Sequence, residues 1–365
     1  MNNSNIIERL YKNIDLSKIN YKIIKHNANY LYNVFTEIQK LWDDVSYDQV
    51  VINKKEFNKI IKIANTSFLN QYDKVLEYIK NVTQIIKVTD SNITFYYFDA
   101  GSYSKDIDQI NYLFNMTVTT AKYFKVRDTE NIIILWLPID INRDFVYDVI
   151  DNDTLKKSEH EYTAFTSSGV TFGLNPRYTI ITRYEEIHKL LLHELIHNFY
   201  IDGSCHTDFD DVLTKYKNSK STHNHHYQYS MYESYTELLA TYITIIFRNI
   251  NLTSQQEIID KIETEIIMEL LYSYNTICNL IKKNGFKTFN EFMKTREFKG
   301  DICIYEYYYL KGLMYNNYEL TICNDKICHR NNYLNIIDEN INDNLLEDIY
   351  NHSINQTNFR YNFYN

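Results

Sequence analysis

Apolar residues recur at three- and four-residue steps early in the chain, at Leu31, Val34, Ile38 and Leu41 and again at Phe57, Ile60, Ile61, Ala64 and Phe68. Side chains at that spacing share one helix face, so residues 1 to about 88 are expected to be mostly helical. From about 92 to 182 the pattern becomes β-like. Ile93 to Phe98 is rich in aromatic residues, and Ile132 to Leu137 is a continuous apolar run suited to a strand buried on both faces. Gly169 to Gly173 and Tyr178 to Ile181 read as two short strands turning at Asn175 and Pro176. Helical periodicity then returns. Thr182 followed by Glu185 is a capping-box start for a helix over Ile187 to Tyr200, and Gly203 supplies its stop. Further helices are expected at about 230–248, 254–284 (ended by Gly285), 288–296 and 302–317. The expected fold is α+β and mostly helical, a small mixed sheet followed by a helical half, with the helix over 187–200 at the junction.

Composition narrows the class without naming a function. Hydrophobic residues make up 44% and charged residues 23%, which is globular rather than disordered. A net charge of −9 argues against a nucleic-acid-binding surface. Gly and Pro are scarce while Tyr, Asn, Ile and Lys abound, a set that AT-rich codons encode. That bias suggests a large DNA virus, a low-GC bacterium or an AT-rich protist as the source, and Asn-x-Ser/Thr matches such as Asn81-Val82-Thr83 carry little weight. Five cysteines are too few and too scattered for a disulfide framework. Cys323, Cys328 and His329 do not have zinc-finger spacing, and free thiols are expected. The N-terminus lacks the basic and apolar regions of a signal peptide, and no apolar run reaches the length of a membrane span. An intracellular, reducing setting is expected; for a viral source, host cytoplasm or a virion fits equally.

One segment states a chemistry. His193-Glu194-Leu195-Ile196-His197 spells H-E-x-x-H inside the helical run. Histidines four apart lie one above the other on a helix face and can reach one cation, Zn2+ in the first instance. The adjacent Glu194 is then placed to work on a water at that ion. A catalytic zinc takes three protein ligands, and the next acidic helix carries Glu233 and Glu237, four apart and on one face. One carboxylate can bind metal while the other accepts an N–H from a ligating histidine. Ser230 and Glu233 also spell a capping box, which would occupy Glu233 and leave Glu237 as the ligand. His223, His225 and His226 form a further cluster, read as a solvated loop.

With these residues the chain resembles the gluzincin metallopeptidases, the thermolysin-like and aminopeptidase-like clan. In that clan H-E-x-x-H is followed by a helix carrying a glutamate ligand, with an acidic residue four positions on. The resemblance implies Glu233 as third ligand and Glu237 as the supporting or alternative carboxylate. Glu233 follows His197 by 36 residues, close to the spacing of clostridial neurotoxin light chains, which also read H-E-L-I-H. Tyr309-Leu310-Lys311-Gly312 matches the Y-x-K-G of aminopeptidase-like members, whose tyrosine supports the oxyanion, and so implies a catalytic role for Tyr309. Those members also carry G-x-M-E-N in an edge strand that pairs with substrate; here Gly169 to Asn175 holds no glutamate, which tilts the implied activity toward an endopeptidase. The resemblance covers roughly 165–315 and implies a zincin-like domain over 91–330, between a helical region at 1–90 and a tail at 331–365. A peptide or protein substrate is implied. The alternative is a zinc-binding protein of the same fold without catalysis, acting as a structural or interaction component.

Overall fold

The computed structural model describes residues 3–66, 73–126, 130–139, 169–173, 176–184, 186–202, 231–283, 285–295, 305–320 and 343–354. Phe68, Asn175, Glu185, Gly203, the histidines at 206 and 223–226, Ser230 and every cysteine except Cys278 lie outside the described residues. The chain is α+β and mostly helical, with a mixed sheet of six strands among the described residues. It divides into two compact units, Thr36–Ile201 and Met1–Phe35 with Asp202–Asn365.

The first unit holds the sheet. Its elements are the end of α2 (Tyr21–Leu41), β1 (Gln49–Val51), α3 (Lys54–Thr66), α4 (Asp73–Asn81), β2 (Gln84–Asp90), β3 (Ile93–Asp99), α5 (Tyr103–Tyr123), β4 (Ile132–Ile139), β5 (Gly169–Phe172), β6 (Arg177–Arg183) and α6 (Ile187–Asn198). Strand order is β1-β2-β3-β4-β6-β5. β3, β4 and β6 are mutually parallel, and the flanking pairs β1·β2, β2·β3 and β5·β6 are antiparallel. β4 therefore lies between parallel neighbours and is buried over nearly its whole length, which is why it reads as an unbroken apolar run.

Alternation divides the sheet into two faces. Ile85, Tyr96, Phe98, Leu135, Leu137 and Ile180 pack with Ile60, Ala64, Val75 and Ile79 of α3 and α4. The residues between them turn to the other face, where Phe95 meets Phe114 of α5 and Tyr97 donates to Asp106 at 2.6 Å. α6 shares that face, bonded to Thr171 and Thr179. The stretch expected to be helical to about 88 contains β1 and the start of β2. β1 is only three residues long, and the buried positions of β2 (Ile85, Ile86, Val88) do not alternate strictly, so neither leaves a clear two-residue period.

The second unit is helical: α1 (Asn3–Asn13), the start of α2, α7 (Met231–Arg248), α8 (Gln255–Lys283), α9 (Phe289–Thr295), a π-helical turn (Tyr305–Leu310) leading into α10 (Lys311–Asn317), and α11 (Asn344–His352). The second half of α8 is buried almost all round, with α1, α7, α9, α10, α11 and the π turn packed against it. Gly312 on α10 has no room for a side chain, because a Cβ there would overlap the Tyr274 ring of α8. Tyr274 in turn donates to Asp343 at 2.6 Å, and Asp343 caps α11. Burial first, and then the Asp343 carboxylate, raises the Tyr274 pKa well above the usual phenol value, so it remains a donor. Among the described residues no helix is long and apolar enough to cross a membrane.

A fully buried charge cluster sits in this unit. Lys311 lies 3.7 Å from Glu237 and 4.0 Å from Glu269, all three closed to solvent. Removing the cation strands two carboxylates in a low-dielectric core. Lys311→Met is expected to lower stability by about 3–5 kcal/mol in urea unfolding; a loss below about 1 kcal/mol would show that the ammonium does not hold the cluster.

Candidate metal centre

The H-E-x-x-H segment lies on α6, which begins at Ile187 as the sequence predicts, but its ends are capped differently from the expectation. Thr182 is buried within β6 rather than capping a helix. The chain turns at Glu186, which takes a left-handed conformation (φ 64°) and forms a buried ion pair with Arg183 at 3.2 Å. Strand pairing claims Thr182, and Glu186 rather than Thr182 stands at the N-cap. At the other end Tyr200 takes a left-handed position (φ 54°). Its N–H bonds to the His197 carbonyl at 3.1 Å and that of Ile201 to the Ile196 carbonyl at 3.0 Å, the paired bonds of a Schellman termination. A bulky residue seldom adopts this conformation, and Arg177 explains it. Its guanidinium covers the Tyr200 ring at 4.0 Å, pairs with Glu130 at 2.9 Å and donates to the Asn198 carbonyl. A cation at a helix C-terminus also complements the helix dipole.

His193 and His197 converge. Their Nε2 atoms are 3.1 Å apart, with the rings nearly perpendicular. Two nitrogens each about 2.0–2.1 Å from one tetrahedral zinc stand roughly 3.3 Å apart, so the pair fits a shared ion with little movement. Glu233 stands in the first turn of α7. Two imidazoles and one carboxylate are a donor set suited to zinc with a fourth position open.

Glu194 points to the sheet. Its Oε2 lies 2.9 Å and its main-chain oxygen 3.0 Å from the Thr171 hydroxyl on β5. Gly169, two residues back on the same face, is pressed against it: a Cβ there would stand 2.7 Å from Glu194 Cγ and from Oε1. Thr171 contacts Thr179 Oγ1 at 3.1 Å, and Thr179 accepts from Asn198 Nδ2 at 2.9 Å. Sequence reasoning marked Gly169 to Asn175 as a substrate strand and gave Thr171, Thr179 and Asn198 no role. Nothing in spacing links Thr171 to a residue 23 positions away.

The other expected site residues are placed as follows. Glu237 is buried and takes Lys311 as an ion partner. Tyr309 lies in the π turn with 0% exposure, so its hydroxyl is closed to solvent. The segment expected as one helix over 302–317 changes pitch at this turn, which sets Lys311 and Gly312 at the head of α10. Thr236 donates to Asp202 at 3.1 Å, both buried. Lys189, also buried, lies one turn before His193 on the same helix face.

Compared with known proteins, the chain matches no family model, no curated protein and no solved structure. The functional reading therefore rests on the residues themselves.

Gly169→Ala is expected to displace the Glu194 side chain and lower stability by about 1–3 kcal/mol. Urea unfolding checks this, and a neutral alanine would show that Glu194 is not seated against β5.

Proposed function

We propose that this chain is a zinc-dependent peptidase, an endopeptidase rather than an aminopeptidase, with Zn2+ held by His193, His197 and Glu233 and with Glu194 as general base. The observation that carries the reading is the pair of Nε2 atoms 3.1 Å apart, with the intervening Glu194 carboxylate anchored on the neighbouring strand. The ion, when held, supplies Lewis acidity toward a water and a peptide carbonyl. Glu194 accepts the water's proton as the new C–O bond forms, and returns it to the leaving amine nitrogen as the C–N bond breaks. Both imidazoles act as neutral ligands, and the Glu233 carboxylate offsets part of the ion's charge.

Among the described residues β5 ends the strand order, and an edge strand suits pairing with an extended peptide. No glutamate lies between Gly169 and Asn175 to grip a free amine, which favours cleavage within a chain. The burial of Tyr309 favours a second reading, the zinc-binding protein without catalysis, because it withholds the phenol expected to support an oxyanion. Tyr309 accordingly has no role in the proposal, and Glu237 serves through Lys311 rather than as a ligand.

Glu194→Gln should keep one zinc per chain and lose about 10²–10⁴-fold in turnover on a diverse peptide library. Undiminished turnover in that variant would sink the mechanism. A parent protein that holds zinc and cleaves no peptide would favour the second reading.

A further inference from the structure

We infer that Thr171 is a positioning residue for Glu194, the last link of a directed hydrogen-bond chain running from Asn198 through Thr179. The inference rests on the peptidase reading and assigns this chain's own machinery for holding its base. Asn198 Nδ2 can only donate, so Thr179 Oγ1 accepts from it at 2.9 Å and has its own proton free for Thr171 Oγ1 at 3.1 Å. Thr171 then has one proton and two acceptors in reach, Glu194 Oε2 at 2.9 Å and the Glu194 main-chain oxygen at 3.0 Å. The direction of the chain is fixed at its amide end, and it delivers a donor to the carboxylate.

The other carboxylate oxygen is fixed by shape. Oε1 and Cγ of Glu194 each lie 2.7 Å from the position a Cβ would take at Gly169. Gly169 and Thr171 alternate with Val170 and so face α6 together, and Thr171 is paired in register with Thr179. One short strand thus holds Oε2 by a hydrogen bond and Oε1 by contact. A base locked in this way needs no ordering when the proton moves. Asn198 belongs to α6 itself, so strand and helix cannot slide past each other without breaking the chain.

The test uses full-length protein and three measurements on each variant: zinc content, kcat and KM on a quenched-fluorescent peptide library, and urea unfolding. Thr171→Val keeps the shape and removes the hydroxyl. It should retain one zinc per chain, lower kcat about tenfold to a hundredfold and leave KM within about twofold. Thr171→Ser should restore most of the loss, which a role in strand packing alone would not predict. A double-mutant cycle with Glu194→Ala needs no activity. Thr171→Val should raise the unfolding constant about tenfold in the parent but about twofold or less beside Glu194→Ala. Strictly additive effects, or a valine variant with parental kcat, would overturn the inference. A parent that cleaves nothing would instead count against the peptidase reading, while the cycle still judges the link between Thr171 and Glu194.

Discussion

α6 is fixed at both ends by buried guanidinium groups, and the candidate centre depends on that clamp. Arg183 pairs with Glu186 where the chain enters the helix, and Arg177 covers the last turn and the left-handed Tyr200 where it leaves. Both arginines come from β6, the strand that precedes the helix. Charge-assisted bonds of this kind are stronger than neutral ones and hold a defined geometry. They set the rotation of α6 about its axis, and the rotation decides which way His193, Glu194 and His197 point. Imidazoles four residues apart share a face on any helix. Only a helix held against β5 and β6 turns Glu194 onto Thr171 and Gly169.

The helical unit meets a related constraint with a different device. α7 carries two glutamates one turn apart, and a second acidic side chain so near the first is costly to bury. Lys311 answers Glu237 from α10, with Glu269 on α8 as the third member. The arrangement assigns different environments to the two carboxylates of α7: Glu237 is closed in the core, whereas Glu233 is half-buried at the helix start. The proposed zinc ligand is the more exposed of the two.

Much of this was readable in the residues. β4 announces itself because a strand with parallel neighbours on both sides is apolar throughout, and α8 because its period runs unbroken to Gly285. The H-E-x-x-H letters place two histidines and a glutamate on one helix with no structure at all. What was not readable depends on contacts distant in sequence. Thr182 looks like a cap until β6 claims it, and no rule of spacing gives a tyrosine the left-handed turn that Arg177 imposes at Tyr200. Lys311 and Gly312 look like a catalytic signature; the fold uses one as a buried counter-charge and the other to admit the Tyr274 ring. Thr171, whose hydroxyl meets the proposed base, is one threonine among many until the strand is folded onto the helix.

The central claim is that His193, His197 and Glu233 hold one zinc ion. Elemental mass spectrometry on protein purified without a metal-binding tag tests it most directly, with His197→Ala as control. The account predicts about one zinc per chain in the parent and almost none in the variant. A parent without metal after zinc is offered and dialysed away, or a variant that keeps its zinc, would contradict it.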